Sequence, residues 1–127
     1  SDDIDGVGFY ASQLIGNAGS NHLTGTGGND TLNGGEGSDT LRGNGGADSF
    51  VFGASFGQDT VDDFAKGSDW LRFDDALWSG NLTAAQIVAS FGDESGAHVV
   101  FDFGGGNVVH LLGVISLSGL EQNMVIF

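Results

Sequence analysis

Leu14, Leu23, Leu32, Leu41 and Phe50 stand nine residues apart, and every residue between Leu23 and Leu41 other than Leu32 is polar or glycine. Neither the helical period of 3.6 nor the strand period of 2 produces such spacing. The polar positions keep the same phase. The first place of each nonapeptide is Gly16, Gly25, Gly34 and Gly43, and the fourth is Gly19, Gly28, Gly37 and Gly46. The sixth is Asn21, Asp30, Asp39 and Asp48, and the eighth is Leu23, Leu32, Leu41 and Phe50. The six glycine-rich residues predict a turn, because glycine permits positive φ and close backbone approach. The last three predict a very short strand with the eighth side chain inward.

Outside the array the patterns are ordinary. Residues 1–15 read as a degenerate lead-in, where Leu14 keeps phase but Ser12 stands where Asp would. After residue 51 the period breaks, since a strict count puts Gly57 in the next sixth place. Phe50 to Phe52, Asp59 to Phe64 and Asp69 to Phe73 predict strands, with a turn at Lys66-Gly67-Ser68. Residues 83–91 predict one helix capped by Thr83 or Asn81, with Ala84, Ile87, Val88 and Phe91 on one face and Gly92 as its stop. Residues 97–103 and 107–114 alternate around Gly104-Gly105-Gly106, as in a β-hairpin, and 124–127 are apolar. The expected organisation is one domain: lead-in 1–15, repeat block 16–51, and a β-rich cap over 52–127.

Charge changes the picture next. The chain has 17 acidic residues, three basic ones and a net charge of −14. That excludes nucleic acid, whose phosphates would be repelled, and disfavours anionic membrane surfaces. Ten of the 17 carboxylates fall between residues 30 and 75, where their repulsion opposes a compact state unless a cation neutralises it. Cysteine is absent, so disulfides and thiolate metal sites are excluded. No apolar run is long enough to span a bilayer. No export leader opens the chain, and the missing initiator Met points to a piece of a longer protein. Each of the 24 glycines loses much backbone entropy on folding, so a ligand is expected to hold the repeats. Turn carbonyls and Asp carboxylates are calcium donors, and Ca²⁺ takes 6–8 oxygens. One turn offers too few; two stacked turns offer enough.

The phases G-G-x-G-x-D-x-U-x resemble the RTX, or hemolysin-type, nonapeptide repeat found near the C-terminus of bacterial type I-secreted exoproteins. The resemblance implies an all-β fold: a short calcium-loaded parallel β-roll, then a β-rich cap with one short helix. Each nonapeptide would be half a coil, which places Asp39 over Asn21 and Asp48 over Asp30. Carbonyls of Gly19, Gly28, Gly37 and Gly46 would complete the coordination, and Leu23, Leu32, Leu41 and Phe50 would stack as the core. The neutral Asn21 implies a weaker site. Asp59-Thr60-Val61-Asp62-Asp63-Phe64, Gly67, Asp69, Leu71 and Phe73 are similar to the segment that closes such rolls, so Asp59, Asp63 and Asp69 are expected to serve the last turns. At least two calcium ions are implied, with room for three or four. The implied role is a non-catalytic folding and secretion module of a larger secreted protein, disordered without calcium, whose partner is the type I secretion apparatus. Two alternatives stay open: an accessory module that binds extracellular polysaccharide in a secreted mannuronan epimerase or glycanase, and the terminal module of a surface adhesin.

Other signals are discounted. Gly53-Ala54-Ser55-Phe56-Gly57 fits G-x-S-x-G, but the βαβ context of a nucleophile elbow is missing. His22, His98 and His110 do not promise a zinc site; His98 and His110 are expected to face each other across the hairpin as a surface pair. Trp70 and Trp78 are expected in the core or cap.

Overall fold

The computed structural model describes residues 2–5 and 13–127. Successive short strands alternate between two sheets, so the chain winds as a roll. The first sheet holds β1 (Asp2–Asp5), β3 (Asn21–Thr24), β5 (Thr40–Arg42) and β7 (Gln58–Val61), all parallel. The second holds β2 (Gln13–Ile15), β4 (Thr31–Asn33), β6 (Ser49–Phe52) and β8 (Trp70–Phe73), also parallel. The architecture is all-β, a parallel roll with a cap.

The eighth positions form the interior. Leu23 pairs with Leu41 and Leu41 with Val61; Leu14 pairs with Leu32, Leu32 with Phe50 and Phe50 with Leu71. All seven are buried. One inward side chain per half-coil makes a thin core, and it widens only where Phe52, Phe56 and Phe73 enter.

The roll passes residue 51 without interruption. Asp59, not Gly57, takes the sixth place of the next half-coil, and Gly57 stacks on Gly37 in the fourth. The strand ladder fixes which residues stack, and the preceding turn absorbs two extra residues, so a strict count of nine misplaces the register. The lead-in also supplies a strand to the roll: β1 pairs Asp2 with Asn21 and Ile4 with Leu23. Ser12 lies outside the described residues.

The cap continues the same sheets. α1 (Ala84–Phe91) begins at a reciprocal cap, in which Gln86 N donates to Thr83 Oγ1 and Thr83 N donates to the Gln86 side chain. It buries Ile87 and half-buries Ala84, Val88 and Phe91 against the core. Gly92 ends the helix with extended backbone, opening β9 (Gly92–Asp93). β10 (Val99–Asp102) and β11 (Val108–Leu111) form the antiparallel hairpin, turning through Gly104, Gly105 and Gly106, all at positive φ. β11 then lies parallel on β7, and β12 (Met124–Ile126) lies parallel on β8.

Candidate metal centre

The sixth-position residues form two buried columns, one per edge of the roll. On the edge that feeds the first sheet, Asn21 N donates to Asp39 Oδ1 at 2.7 Å and Asp39 N donates to Asp59 Oδ1 at 3.0 Å. On the other, Asp30 N donates to Asp48 Oδ1 at 2.9 Å and Asp48 N donates to Asp69 Oδ1 at 2.9 Å. Each carboxylate thus straps the turn beneath it. The turns approach this closely because the fourth position is glycine. Gly37 has φ +93°, and a Cβ there would stand 2.7 Å from the Gly19 carbonyl oxygen. Gly46 stands in the same relation to Gly28.

The second carboxylate oxygens divide into two groups. One of Asp30 accepts from Thr26 N at 2.6 Å, and one of Asp69 accepts from Ala65 N at 2.8 Å. By contrast, Asp39 Oδ2, Asp48 Oδ2 and Asp59 Oδ2 are buried with no hydrogen-bond donor among the described residues. A buried anion without a partner is costly. Burial pushes the Asp48 carboxyl up to about 7 and the Asp59 carboxyl up to about 8, and it raises Asp39 and Asp69 as well. Hydrogen bonds from the stacked backbone amides oppose the shift but do not cancel it.

Among the described residues, no three His, Cys, Asp or Glu side chains converge on one point. An ion held here must therefore take main-chain oxygens too, and these are present. The Gly34 carbonyl oxygen and Asn21 Oδ1 both crowd the place where a Cβ on Gly16 would stand. The Gly43 carbonyl and Asp30 Oδ2 do the same at Gly25. A set of carboxylate and carbonyl oxygens suits a hard cation such as Ca²⁺ and not a metal that prefers nitrogen or sulfur.

Asn21, Asp30, Asp39, Asp48, Asp59 and Asp69 all stand in the two columns; Asp63 does not. Its carboxylate accepts from Gly43 N at 2.9 Å and Asn44 N at 2.7 Å, clasping the last repeat from outside. The count of nine conceals this, because the clasp is about 20 residues away in sequence. The first-edge column ends where Val109, an apolar residue, pairs with Asp59. Trp78 packs into the cap against Phe91 and Phe103, as expected. Trp70 does not: it is 37% exposed, on the outer face of β8, because its neighbour Leu71 takes the inward place.

Residues 15–50 match the family model of the RTX calcium-binding nonapeptide repeat, in four copies. This segment is therefore an array of RTX calcium-binding repeats. Twelve chains among solved structures match. One of them is the crystal structure of the extracellular lipase LipA from Serratia marcescens, at 31% identity and a TM-score of 0.79. The similarity covers 99% of this chain but 19% of the lipase, so the chain spans about a fifth of that protein's length. No curated protein matches the chain.

Proposed function

We propose that this chain is the calcium-folded C-terminal module of a larger secreted protein, non-catalytic in itself and attached to a passenger such as an enzyme. The observation that carries the reading is the trio of unpartnered, buried oxygens on Asp39, Asp48 and Asp59. At neutral pH they oppose the fold, and Ca²⁺ bound between stacked turns would reverse that sign by linking binding to folding. One ion would sit between the turns of Asn21 and Asp39 and another between those of Asp30 and Asp48. The carbonyls of Gly19, Gly28, Gly37 and Gly46 would serve as further ligands. Asp59 and Asp69 extend the columns and give room for a third and a fourth ion. Circular dichroism in chelator should show mostly coil, with strand signal returning on Ca²⁺ and far less on Mg²⁺, which demands tighter octahedral geometry. A fully structured chelated chain defeats the reading.

Low calcium inside the cell would keep the chain extended for the type I secretion apparatus, and higher calcium outside would fold it. The apolar end then has a second use, since Met124–Ile126 is the last strand of the second sheet. Fusions of a passenger to residues 1–127 and 1–120, co-expressed with a type I exporter, separate the uses. Equal release of both leaves the end purely structural.

One feature favours a second reading, a polysaccharide-binding accessory module. The outer face of the second sheet carries a shallow groove of about 280 Å³ lined by Ser49, Trp70, Arg72 and Val125. Stacking of a sugar on Trp70 would change its fluorescence; no change on titration with alginate or another exopolysaccharide removes this reading.

A further inference from the structure

Two of the three histidines meet on the outer face of the first sheet. His98 precedes β10 and His110 lies in β11; their neighbours Val99, Val109 and Leu111 point inward and are fully buried. The register pairs Val100 with His110, so the two imidazoles are diagonal neighbours across the hairpin, within reach of long side chains. His98 Nε2 lies 3.0 Å from His110 Nδ1, with ring planes at 62°. Both rings are half-buried.

Two nitrogens bound to one ion at roughly 2.0–2.1 Å, with angles of roughly 90–110°, lie roughly 2.9–3.4 Å apart. The observed separation falls in that window, so an ion could replace the proton now shared between the rings with little movement of either strand. Imidazole selects zinc, copper and nickel, whereas calcium and magnesium select oxygen. The donor chemistry therefore separates this pair from the carboxylate columns. The net charge of −14 raises the local concentration of any divalent cation. No third His, Cys, Asp or Glu joins the pair among the described residues, which leaves the remaining coordination positions to water.

We propose that His98 and His110 form a second metal site, for a divalent ion of the zinc, copper and nickel class, which clips β10 to β11. The clip acts on the strand that closes the roll, because β11 lies directly on β7, the strand that carries Asp59. An ion bound there stabilises the folded cap by mass action.

Zn²⁺ titrated by calorimetry into the calcium-saturated full chain tests the site. The expected result is one zinc ion per chain, affinity reduced about tenfold or more by either His98→Gln or His110→Gln, and no change with His22→Gln. Circular dichroism in calcium establishes that each variant is folded. Electron paramagnetic resonance of Cu²⁺ on the unaltered chain needs no variant, and should show two imidazole nitrogens on the copper. Zinc binding that survives both substitutions, or that His22→Gln removes, overturns the proposal. So does copper bound by a single nitrogen, or no zinc binding at all. Because the titrations are done with calcium present, their failure leaves the calcium reading intact.

Discussion

In the coil formed by β3, β4 and β5, Leu23, Leu32 and Leu41 fill the interior, and the turns around them are glycine and carboxylate. Where β6, β8 and β10 meet the cap, Phe52, Phe56, Phe73, Phe101 and Phe103 interlock, with ring centroids 4.9–6.3 Å apart. Both regions belong to the same pair of sheets, yet different physics holds each. The cap buries aromatic surface, which favours folding in any buffer. The repeats bury anions, which opposes folding wherever those carboxylates stay ionised and unneutralised. A cation response can therefore be built at one end of a continuous roll, provided the other end gives it a seat.

The largest effect is expected from damage to the cap alone. Phe73 is fully buried and touches Phe52, Phe101 and Phe103. Phe73→Ala should cost about 3–5 kcal/mol in chemical denaturation at saturating calcium, with calcium stoichiometry unchanged by calorimetry. Loss of ions along with stability would mean that the two regions fold as one unit.

A smaller effect should follow from damage to the column. Asp59→Ala removes the acceptor of Asp39 N and strands that buried donor, at a cost of about 1–3 kcal/mol. The calcium midpoint of folding should rise accordingly, by about 5- to 150-fold if one ion carries the effect. Asp39→Ala should act in the same direction, because Asp39 holds Asn21 N in the same way. Asp93→Ala, in an exposed turn bonded to Ser95, should leave the midpoint in place. Equal shifts from Asp59 and Asp93 would refute the stacking as the source of the calcium response.

The mildest test uses protons. The folded-state values of Asp48 and Asp59, about 7 and about 8, lie above the unfolded carboxylate range. A raised value means that the ion-free roll binds protons more readily than the unfolded chain does. Its stability is therefore greatest at low pH and is lost as pH rises through about 7 to 8. Calcium needs the same oxygens ionised, so acidification should weaken calcium-driven folding while making the chelated chain less disordered. Circular dichroism at pH 8 and pH 5.5, with and without chelator, reads both trends. A calcium midpoint independent of pH would show that these carboxylates are not the ones responding.

Much of the fold was legible because the repeats hold glycine, carboxylate and leucine in fixed phases. Those phases set turn, strap and core independently of distant contacts. The helix was legible from Thr83, its i, i+3 and i+4 apolar face, and Gly92; the hairpin from its three glycines. The resemblance already assigned Asp59, Asp63 and Asp69 to the last turns, but three details of placement were hidden. Asp59 and Asp69 hold column places 20 and 21 residues beyond their partners, because turns absorb insertions that the strand ladder does not register. Asp63 serves the main chain of Gly43 and Asn44, a pairing set by stacking and not by spacing. Trp70 faces outward, because alternation along β8 gives Leu71 and Phe73 the interior. The contact between His98 and His110 could be placed on one hairpin from sequence, but its 3.0 Å separation depends on the diagonal register of β10 and β11.

The parallel seating of β11 on β7 and β12 on β8 also has a kinetic side. Within the repeats each strand meets a partner 18 residues away, whereas the closing strands return across about 50 residues. In equilibrium terms the longer loop costs only about 1 kcal/mol more. In time it matters more, since long-range strand pairing is the slow kind. Calcium concentration would then decide whether the chain folds, and the return of the last two strands would decide how fast. In a calcium-jump experiment the observed rate should slow when the exposed 95–97 loop is lengthened with glycine, while the calcium midpoint barely moves. A rate indifferent to that insertion would place the slow step in the repeats instead.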